Sequence, residues 1–187
     1  GQAALQGGKV SDQKLAELVR FGKQLDSASH PNIGLLMALA DIKSWRGNVE
    51  NARLHYRRVL ELSPNHVPAL NNLAMMLALK NSRLAEANNA INLAVSSRGP
   101  FDYLLDTRGM VLLAMGEAAM AEADFRAALA SLPRADRHFH LAEALTALDR
   151  IPEAVQQFKL ALSLGLNKSA LHPLERSSFD ELSTSYN

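Results

Sequence analysis

Apolar residues recur along this chain three and four positions apart, the spacing that places them on one face of an α-helix. The clearest stretch, 104–133, is predicted to form two short helices joined by a turn at Gly116. Gly109 lies on the apolar face of the first helix, and Phe125 lies on that of the second. We expect the glycine to let the two backbones approach closely, while the phenylalanine ring fills the space beside that contact. The pattern therefore predicts a helical hairpin.

The same hairpin pattern occurs four times, and four separate positions keep the same register. The small residue of each first helix recurs at steps of 34, 35 and 33 positions: Ala40, Ala74, Gly109 and Ala142. The small residue that opens each second helix is followed four positions later by a larger one: Ala52 and Tyr56, Ala87 and Ile91, Ala121 and Phe125, Ala154 and Phe158. Residues that favour turns separate the two helices: Gly47-Asn48, Asn81-Ser82, Gly116 and Asp149. A chance amphipathic pattern would drift out of register over this length.

The unit defined by these positions resembles the tetratricopeptide repeat, a helix-turn-helix of 34 residues. The resemblance covers roughly 33–166, and the second and third units are similar to those of long bacterial arrays, including arrays linked to exopolysaccharide export. It implies an all-α chain, folded as a right-handed superhelical solenoid of about four repeats with a flanking helix at each end. In such a solenoid the first helices line the concave side and the second helices form the outside.

The resemblance also predicts how the chain is divided. We expect a flexible N-terminus at 1–10 and an N-terminal flanking helix, or a partial repeat, at 11–32. The four repeats are expected at 33–66, 67–101, 102–134 and 135–168. A capping helix and tail at 169–187, with an apolar stripe of Leu174, Phe179 and Leu182, should cover the open end of the array. The alternative for this last segment is a detachable helix that docks in the groove of a neighbouring molecule.

Two features depart from the usual repeat. Arg108 stands where the pattern usually has leucine, so we expect its stem to pack while its guanidinium reaches Asp106, Asp102 or a helix end. The second repeat carries one extra residue in its turn and another before Pro100.

The first-helix residues that do not pack inward are predicted to face the concave groove and bind a partner. They are Met37, Asp41, Trp45, Asn71, Asn72, Met75, Tyr103, Asp106, Met110, Phe139, His140 and Glu143, with Leu79 and Asp136 on the same faces. Methionine adapts to varied apolar surfaces, and acidic groups attract Lys or Arg. The predicted ligand is an extended peptide or helix with alternating basic and apolar residues. The competing interpretation is that the methionines pack within the array and the acids are merely solvated.

Composition limits the classes of partner. The 20 basic and 19 acidic residues leave a net charge of +1, so nothing favours nucleic acid, which needs a basic excess. No apolar run approaches the ~20 residues of a membrane span, and we expect no membrane insertion. The chain has no cysteine, which excludes thiolate nucleophiles and Cys-ligated zinc. Its composition is compatible with either the cytoplasm or the periplasm.

No residue pattern indicates catalysis, a metal or a cofactor. His138 and His140 are two positions apart, hence on nearly opposite faces of a helix, and cannot chelate one ion together. The remaining histidines are expected at helix ends or on outer faces: His30, His55, His66 and His172. Some tetratricopeptide domains hold a terminal carboxylate with a Lys/Asn/Arg clamp, but Met37, Asp41 and Met75 occupy the corresponding positions here. We therefore expect neither enzymatic activity nor such a clamp.

Three functions remain open at this point. The first is a non-catalytic adaptor that binds a protein segment in its concave groove. The second is a structural scaffold of a secretion or exopolysaccharide assembly that self-associates through the Trp45 region, the Arg53/Arg57/Arg58 face or an array end. The third is a regulatory domain of a larger protein.

Overall fold

The computed structural model describes residues 32–186, and the predicted N-terminal helix lies outside them. The described residues form nine α-helices and no strand. The helices are α1 (Ile33–Trp45), α2 (Val49–Leu62), α3 (Val67–Leu79), α4 (Leu84–Arg98), α5 (Asp102–Ala114), α6 (Ala118–Ser131), α7 (Ala135–Ala147), α8 (Ile151–Ser163) and α9 (Arg176–Ser185). A short 3₁₀ turn, Pro173–Glu175, leads into α9. The first eight helices pair as four successive hairpins, and each hairpin packs on the next.

The turns inside the four hairpins adopt the same backbone conformation. The equivalent residues Gly47, Asn81, Gly116 and Asp149 all have positive φ, at 73°, 49°, 84° and 57°. Glycine adopts this left-handed conformation freely, and Asn and Asp tolerate it better than other residues. The extra residue of the second turn is accommodated in the same way, because Arg83 also has a positive φ of 50°. The predicted turn positions are therefore confirmed.

The repeating small and large residues form the core as predicted. The small residues Ala40, Ala52, Ala74, Ala87, Ala121, Ala142 and Ala154 are all completely buried. The large residues that follow them, Tyr56, Ile91, Phe125 and Phe158, are also buried. Each hairpin thus closes over a small side chain on one helix and a large one on the other. Because every hairpin leaves an apolar face uncovered, stacking the next hairpin on it extends the core along the array.

The contact between Gly109 on α5 and Phe125 on α6 is unusually close. A Cβ atom built on Gly109 would lie 2.5 Å from the Phe125 ring, far inside van der Waals contact. The other three repeats carry alanine at this position, with Tyr56, Ile91 and Phe158 as the corresponding large residues. In the third repeat the Phe125 ring lies so close that an alanine Cβ at position 109 would clash with it.

We predict that Gly109→Ala destabilises the protein by about 1–3 kcal/mol through overpacking. The higher helix propensity of alanine offsets up to about 1 kcal/mol of this loss. The free energy of unfolding from urea denaturation measures the effect. Gly34→Ala is the matched control, since Gly34 is exposed on α1 and its added Cβ would meet only the Asn32 side chain, at 3.3 Å. A Gly109→Ala protein as stable as the Gly34→Ala protein would contradict the prediction.

Two arginines of the first helices form partly buried ion pairs. Arg108 does not reach Asp106, Asp102 or a helix end, and that prediction is wrong. Its guanidinium instead donates two hydrogen bonds across the hairpin to Asp124 on α6, at 2.6 and 2.7 Å. Arg137, a buried residue of α7, pairs with Asp102 and donates to the Leu132 carbonyl at 2.6 Å. The first pair ties α5 to α6 within the third hairpin, and the second ties α7 of the fourth hairpin to α5 of the third.

The C-terminal helix α9 covers the last hairpin. The Phe179 ring centroid lies 6.1 Å from that of Phe139 and 5.6 Å from that of Phe158. The Tyr186 hydroxyl lies 2.6 Å from the Thr146 hydroxyl on α7. The residues just before α9 leave this end of the array and turn inward, where the candidate site is formed.

Candidate functional site

The inner face of the array is formed by the first helices α1, α3, α5 and α7. The five residues Leu171–Glu175 are here called the tail segment. Leu171 packs in the core of the last hairpin, whereas His172, Leu174 and Glu175 contact the inner face. Sequence analysis did not place them there, because it expected the C-terminal segment to cover the last repeat or, as the alternative, to dock in the groove of a neighbouring molecule. The concave surface predicted to receive a partner therefore already holds a short piece of the chain itself.

The tail segment reaches the first repeat through His172. The His172 side chain is buried, and its Nε2 atom lies 3.3 Å from the Ser44 hydroxyl on α1. Its ring centroid lies 5.0 Å from that of Trp45. Burial lowers the pKa of His172, so this imidazole is neutral near pH 7. His172 was predicted at a helix end or on an outer face; it does lie at a helix end, where it caps the 3₁₀ turn, but its side chain is buried and not on the surface.

Leu174 supplies the apolar contact of the tail segment. Its side chain packs against the core formed by the first two hairpins and the start of the third. Beside Leu174 is a cavity of about 210 Å³ that Leu79, Met110 and Glu143 help to line. Leu174 therefore leaves unfilled space beside it.

Glu175 supplies the polar contact, and it pairs with a buried histidine. The His140 ring on α7 lies between two carboxylates, with Nδ1 2.9 Å from Asp106 Oδ1 and Nε2 2.9 Å from Glu175 Oε1. The Phe125 and Phe139 rings flank it, each with a centroid 5.7 Å away. A protonated imidazole donates to both carboxylates at once, whereas a neutral one donates to only one.

The electrostatics of the cluster favour the charged imidazole. Burial by itself lowers the pKa of His140, but Asp106 and Glu175 outweigh burial and hold that pKa well above 6.5. Burial raises the pKa of the nearby Glu143 carboxyl to about 7, against the opposing effects of His140 and a hydrogen bond with Ser178. Near neutral pH the site therefore contains an imidazolium between two carboxylates, beside a carboxyl that is partly protonated.

The tail segment also holds its own conformation. The backbone N–H of His172 donates to Glu175 Oε2 at 2.9 Å, and the His172 Nδ1 atom accepts from the Leu174 N–H at 3.3 Å. This reciprocal pair is a capping box around Pro173, which fixes φ at the start of the turn. One oxygen of Glu175 thus organises the segment, while the other binds the groove.

We predict that the protein becomes less stable as the pH rises from 7 to 9. Because the pKa of His140 is higher in the folded chain than in the unfolded one, its stabilisation is complete below about pH 6.5 and is lost as the pH rises through the folded-state pKa. Each unit by which that pKa exceeds 6.5 contributes about 1.4 kcal/mol. Urea denaturation at several pH values measures the loss.

The control for this pH dependence is His140→Gln, which removes the titrating group. The other ionisable groups that face the ring are Asp106 on α5, Asp136 and Glu143 on α7, and Glu175. Ionisation of Glu143 also lowers the stability as the pH rises. Because the pKa of Glu143 is about 7, this ionisation is largely complete by the upper part of the range. We expect the free energy of unfolding of His140→Gln to stay level or increase between pH 7 and 9. If the wild type behaved in the same way, the assigned cluster would be contradicted.

Several of the predicted groove residues are engaged with one another. Asp41 accepts hydrogen bonds from the Tyr56 hydroxyl at 2.6 Å and from Asn72 Nδ2 at 3.0 Å, which links the first two repeats. Asn71 Nδ2 donates to Asn72 Oδ1 at 3.2 Å. Asp106 faces His140, as described above. These acidic and amide groups hold the inner helices together, so they are not freely available to an incoming Lys or Arg.

The remaining predicted residues differ in their accessibility. Phe139 does not face the groove, and this prediction is wrong, because the ring is completely buried against Phe158 and Phe179. Met37, Met75, Met110 and Glu143 are half-buried, whereas Trp45 and Tyr103 are 43% and 41% exposed. Sequence reasoning missed Ser44, His172 and Glu175. The spacing of His172 and Glu175 around Pro173 is a capping-box signal that could have identified the last two as a structured pair.

Residues 32–186 contain no group of three or more His, Asp or Glu side chains arranged to hold a metal ion. No helix within the same range is long and apolar enough to cross a membrane.

Comparisons with known proteins agree with the repeat architecture. A family model described as tetratricopeptide repeat matches residues 55–87, which include most of α2, all of α3 and the start of α4. No curated protein matches the sequence.

Solved structures match over most of the chain. The crystal structure of TTC0263, a thermophilic TPR protein in Thermus thermophilus, is 20% identical and has a TM-score of 0.71, with 94% of this chain and 88% of that chain covered. The crystal structure of MamA is 18% identical and has a TM-score of 0.63, with 83% of this chain and 94% of that chain covered. MamA 41-end from Desulfovibrio magneticus RS-1 is 15% identical and has a TM-score of 0.66, with 81% of this chain and 88% of that chain covered. At these identities the likeness concerns the fold, and the predicted all-α repeat superhelix is confirmed.

Proposed function

Taking this chain as a tetratricopeptide repeat protein, a protein–protein interaction module, we propose that it binds a segment of a partner protein along its concave surface. In this proposal 33–66, 67–101, 102–134 and 135–168 are its repeats. The bound segment lies across α1, α3, α5 and α7, where the tail segment lies in the described chain. The predicted groove residues that remain accessible, among them Trp45 and Tyr103, form the margin of this surface.

One observation carries the proposal, namely that a short polypeptide segment already fits the concave surface. The tail segment places one aliphatic side chain in an apolar depression and one carboxylate on a buried histidine. A surface that accommodates three side chains of one polypeptide in this way has the shape and hydrogen-bonding groups to accommodate those of another. This combination of apolar and polar anchors is the general means by which grooves recognise peptides.

The engaged acidic groups change the expected chemistry of the partner. A basic segment would have to compete with Asn72 and Tyr56 for Asp41, and with His140 for Asp106. We therefore propose the concave surface as the site without a requirement for a basic ligand. We also propose that the chain has no catalytic activity, because its buried histidine is held between two carboxylates and serves as a structural cation.

The scaffold alternative has less support from the contacts. The Arg53/Arg57/Arg58 face was one candidate for self-association, but Arg53 pairs with Glu50 and Arg58 pairs with Glu61 on the same helix. These intrahelical pairs leave little net positive charge for a second molecule to recognise. The protein could still act in a secretion or exopolysaccharide assembly, or as a regulatory domain of a larger protein. We propose that in either role it would bind its partner through the concave surface.

Site-specific photo-cross-linking in the source cells tests the proposed surface. A photoreactive amino acid replaces Leu79, which lines the groove cavity, and in a second variant it replaces Met120, which is exposed on the second helix α6. We expect a partner adduct from position 79 and none from position 120. The cross-linked segment is then sequenced by mass spectrometry, synthesised and titrated against the purified protein. Adducts that form only at position 120 would contradict binding along the concave surface.

A further inference from the structure

We propose that the groove specifically recognises a partner segment in which a bulky apolar side chain is followed directly by a carboxylate, and that the chain's own Leu174-Glu175 pair occupies this site in competition with the partner. The inference rests on the proposed function and names the chemistry of its ligand. His140 is the recognition residue for the carboxylate, and the cavity beside Leu174 receives the apolar side chain.

The carboxylate specificity follows from the geometry around His140. Its Nε2 atom faces outward from α7 and lies 2.9 Å from Glu175 Oε1, while its Nδ1 atom is held by Asp106 on the opposite side. Asp106 thereby orients the ring and favours its protonated form, so that Nε2–H presents a charged donor to the groove. A neutral amide in place of the ligand carboxylate would lose the charge-assisted part of this hydrogen bond, which is the stronger part. A basic side chain would meet the imidazolium with like charge.

The preference for a bulky apolar neighbour follows from the space that Leu174 leaves unfilled. The remaining cavity of about 210 Å³ lies between α3, α5 and α7, and its apolar wall includes Leu79, Met110 and Leu113. Leu174 itself lines this cavity, together with the polar side chains of Asn81, Glu143 and Ser178. A larger side chain in its place, such as phenylalanine or methionine, would bury more of the wall and bind more strongly.

The competition follows from the fact that the tail segment is covalently attached. An attached segment meets its site at a high effective concentration, in the millimolar range for a short flexible connection. An outside ligand therefore sees only the fraction of molecules whose groove is open, and its apparent Kd is raised in inverse proportion to that fraction. A partner with a better-fitting apolar side chain overcomes this barrier, whereas weaker ligands are excluded.

The experiment measures binding of fluorescent peptides to the full chain by anisotropy. The probe is a synthetic peptide of residues 170–186, and it is compared with two altered probes that carry Glu175→Gln or Leu174→Phe. The proteins are the wild type, Glu175→Ala to weaken the attached tail, and Glu175→Ala combined with His140→Gln. Helical content by circular dichroism confirms that each protein is folded before the titration.

We expect the native probe to bind Glu175→Ala at least about tenfold more tightly than it binds the wild type, because more grooves are open. We expect the Leu174→Phe probe to bind more tightly still, and both the Glu175→Gln probe and the His140→Gln protein to lose most of this affinity. Equal affinities for the Glu and Gln probes would overturn the carboxylate assignment. A wild type that forms dimers, which the native probe dissociates, would assign the site to the tail of a second copy and overturn the partner assignment.

These outcomes are separable from failure of the proposed function. Photo-cross-linking from position 79 reports whether any partner uses the concave surface, whatever its chemistry. If that adduct forms but the Glu and Gln probes bind alike, the concave surface stands as the binding site and the proposed ligand chemistry is wrong.

Discussion

Phe125→Ala is expected to destabilise the protein by about 3–5 kcal/mol, the loss typical of removing a large buried aromatic side chain. The ring is completely buried, lies directly against Gly109 on the neighbouring helix and flanks His140. Its removal would leave a cavity between α5 and α6 that a glycine backbone cannot fill. It would also open one wall of the pocket that holds the imidazolium.

Urea denaturation followed by circular dichroism measures this loss. Phe101→Ala is the matched control, because Phe101 precedes α5 and is half exposed, so its truncation should cost well under the core value. If the two phenylalanine variants were destabilised equally, Phe125 would not be the side chain that closes the third hairpin. A urea midpoint of Phe125→Ala equal to that of the wild type would contradict the packing of α5 against α6.

Glu175→Ala is expected to release the tail segment from the groove. Removing one partner of a buried ion pair costs about 3–5 kcal/mol, because the remaining charge is left without its partner. Here the change also removes the capping bond to the His172 backbone N–H. Since every 1.4 kcal/mol is a factor of ten, amide exchange of the tail segment should accelerate by about two to three orders of magnitude.

Hydrogen exchange with mass spectrometry measures this release, peptide by peptide. Glu181→Ala is the control, because it removes the same charge from an exposed position on α9 of the same tail. We expect slow exchange of residues 171–175 in the wild type and in Glu181→Ala, and fast exchange in Glu175→Ala. Equal protection in all three proteins would mean that the His140–Glu175 pair does not hold the tail.

The fold could be predicted from the sequence because it depends on short-range patterns that repeat. Ala40, Ala74, Gly109 and Ala142 keep one register, and the turn residues that follow them are types that adopt positive φ. Each hairpin carries the same local sequence pattern, so the agreement of four hairpins strengthens the prediction of each one. The one core residue misassigned to the groove was Phe139, which belongs to the core because it also packs against Phe179 from outside the repeats.

The site could be predicted only in part, because its decisive contacts join residues that are distant in sequence. Ser44 and His172 are 128 residues apart, and no local pattern indicates that they meet. Asp106, His140 and Glu175, however, follow one another at 34 and 35 residues, which is one repeat length. Extending the repeat register past the fourth hairpin could therefore have identified Glu175 as a groove residue. Arg108 shows the opposite case, since any of several nearby acids was a plausible partner until the packing selected Asp124.

Fluorescence of Trp45 tests the central claim, that the tail segment lies in the concave groove, most directly. Trp45 is the single tryptophan of the chain and its ring contacts His172, so it reports the presence of the tail without any label. In acrylamide quenching, we predict that the quenching constant of Glu175→Ala is clearly higher than that of the wild type and of Glu181→Ala. Identical quenching in the three proteins would contradict the account, because it would mean that the tail does not cover this end of the groove.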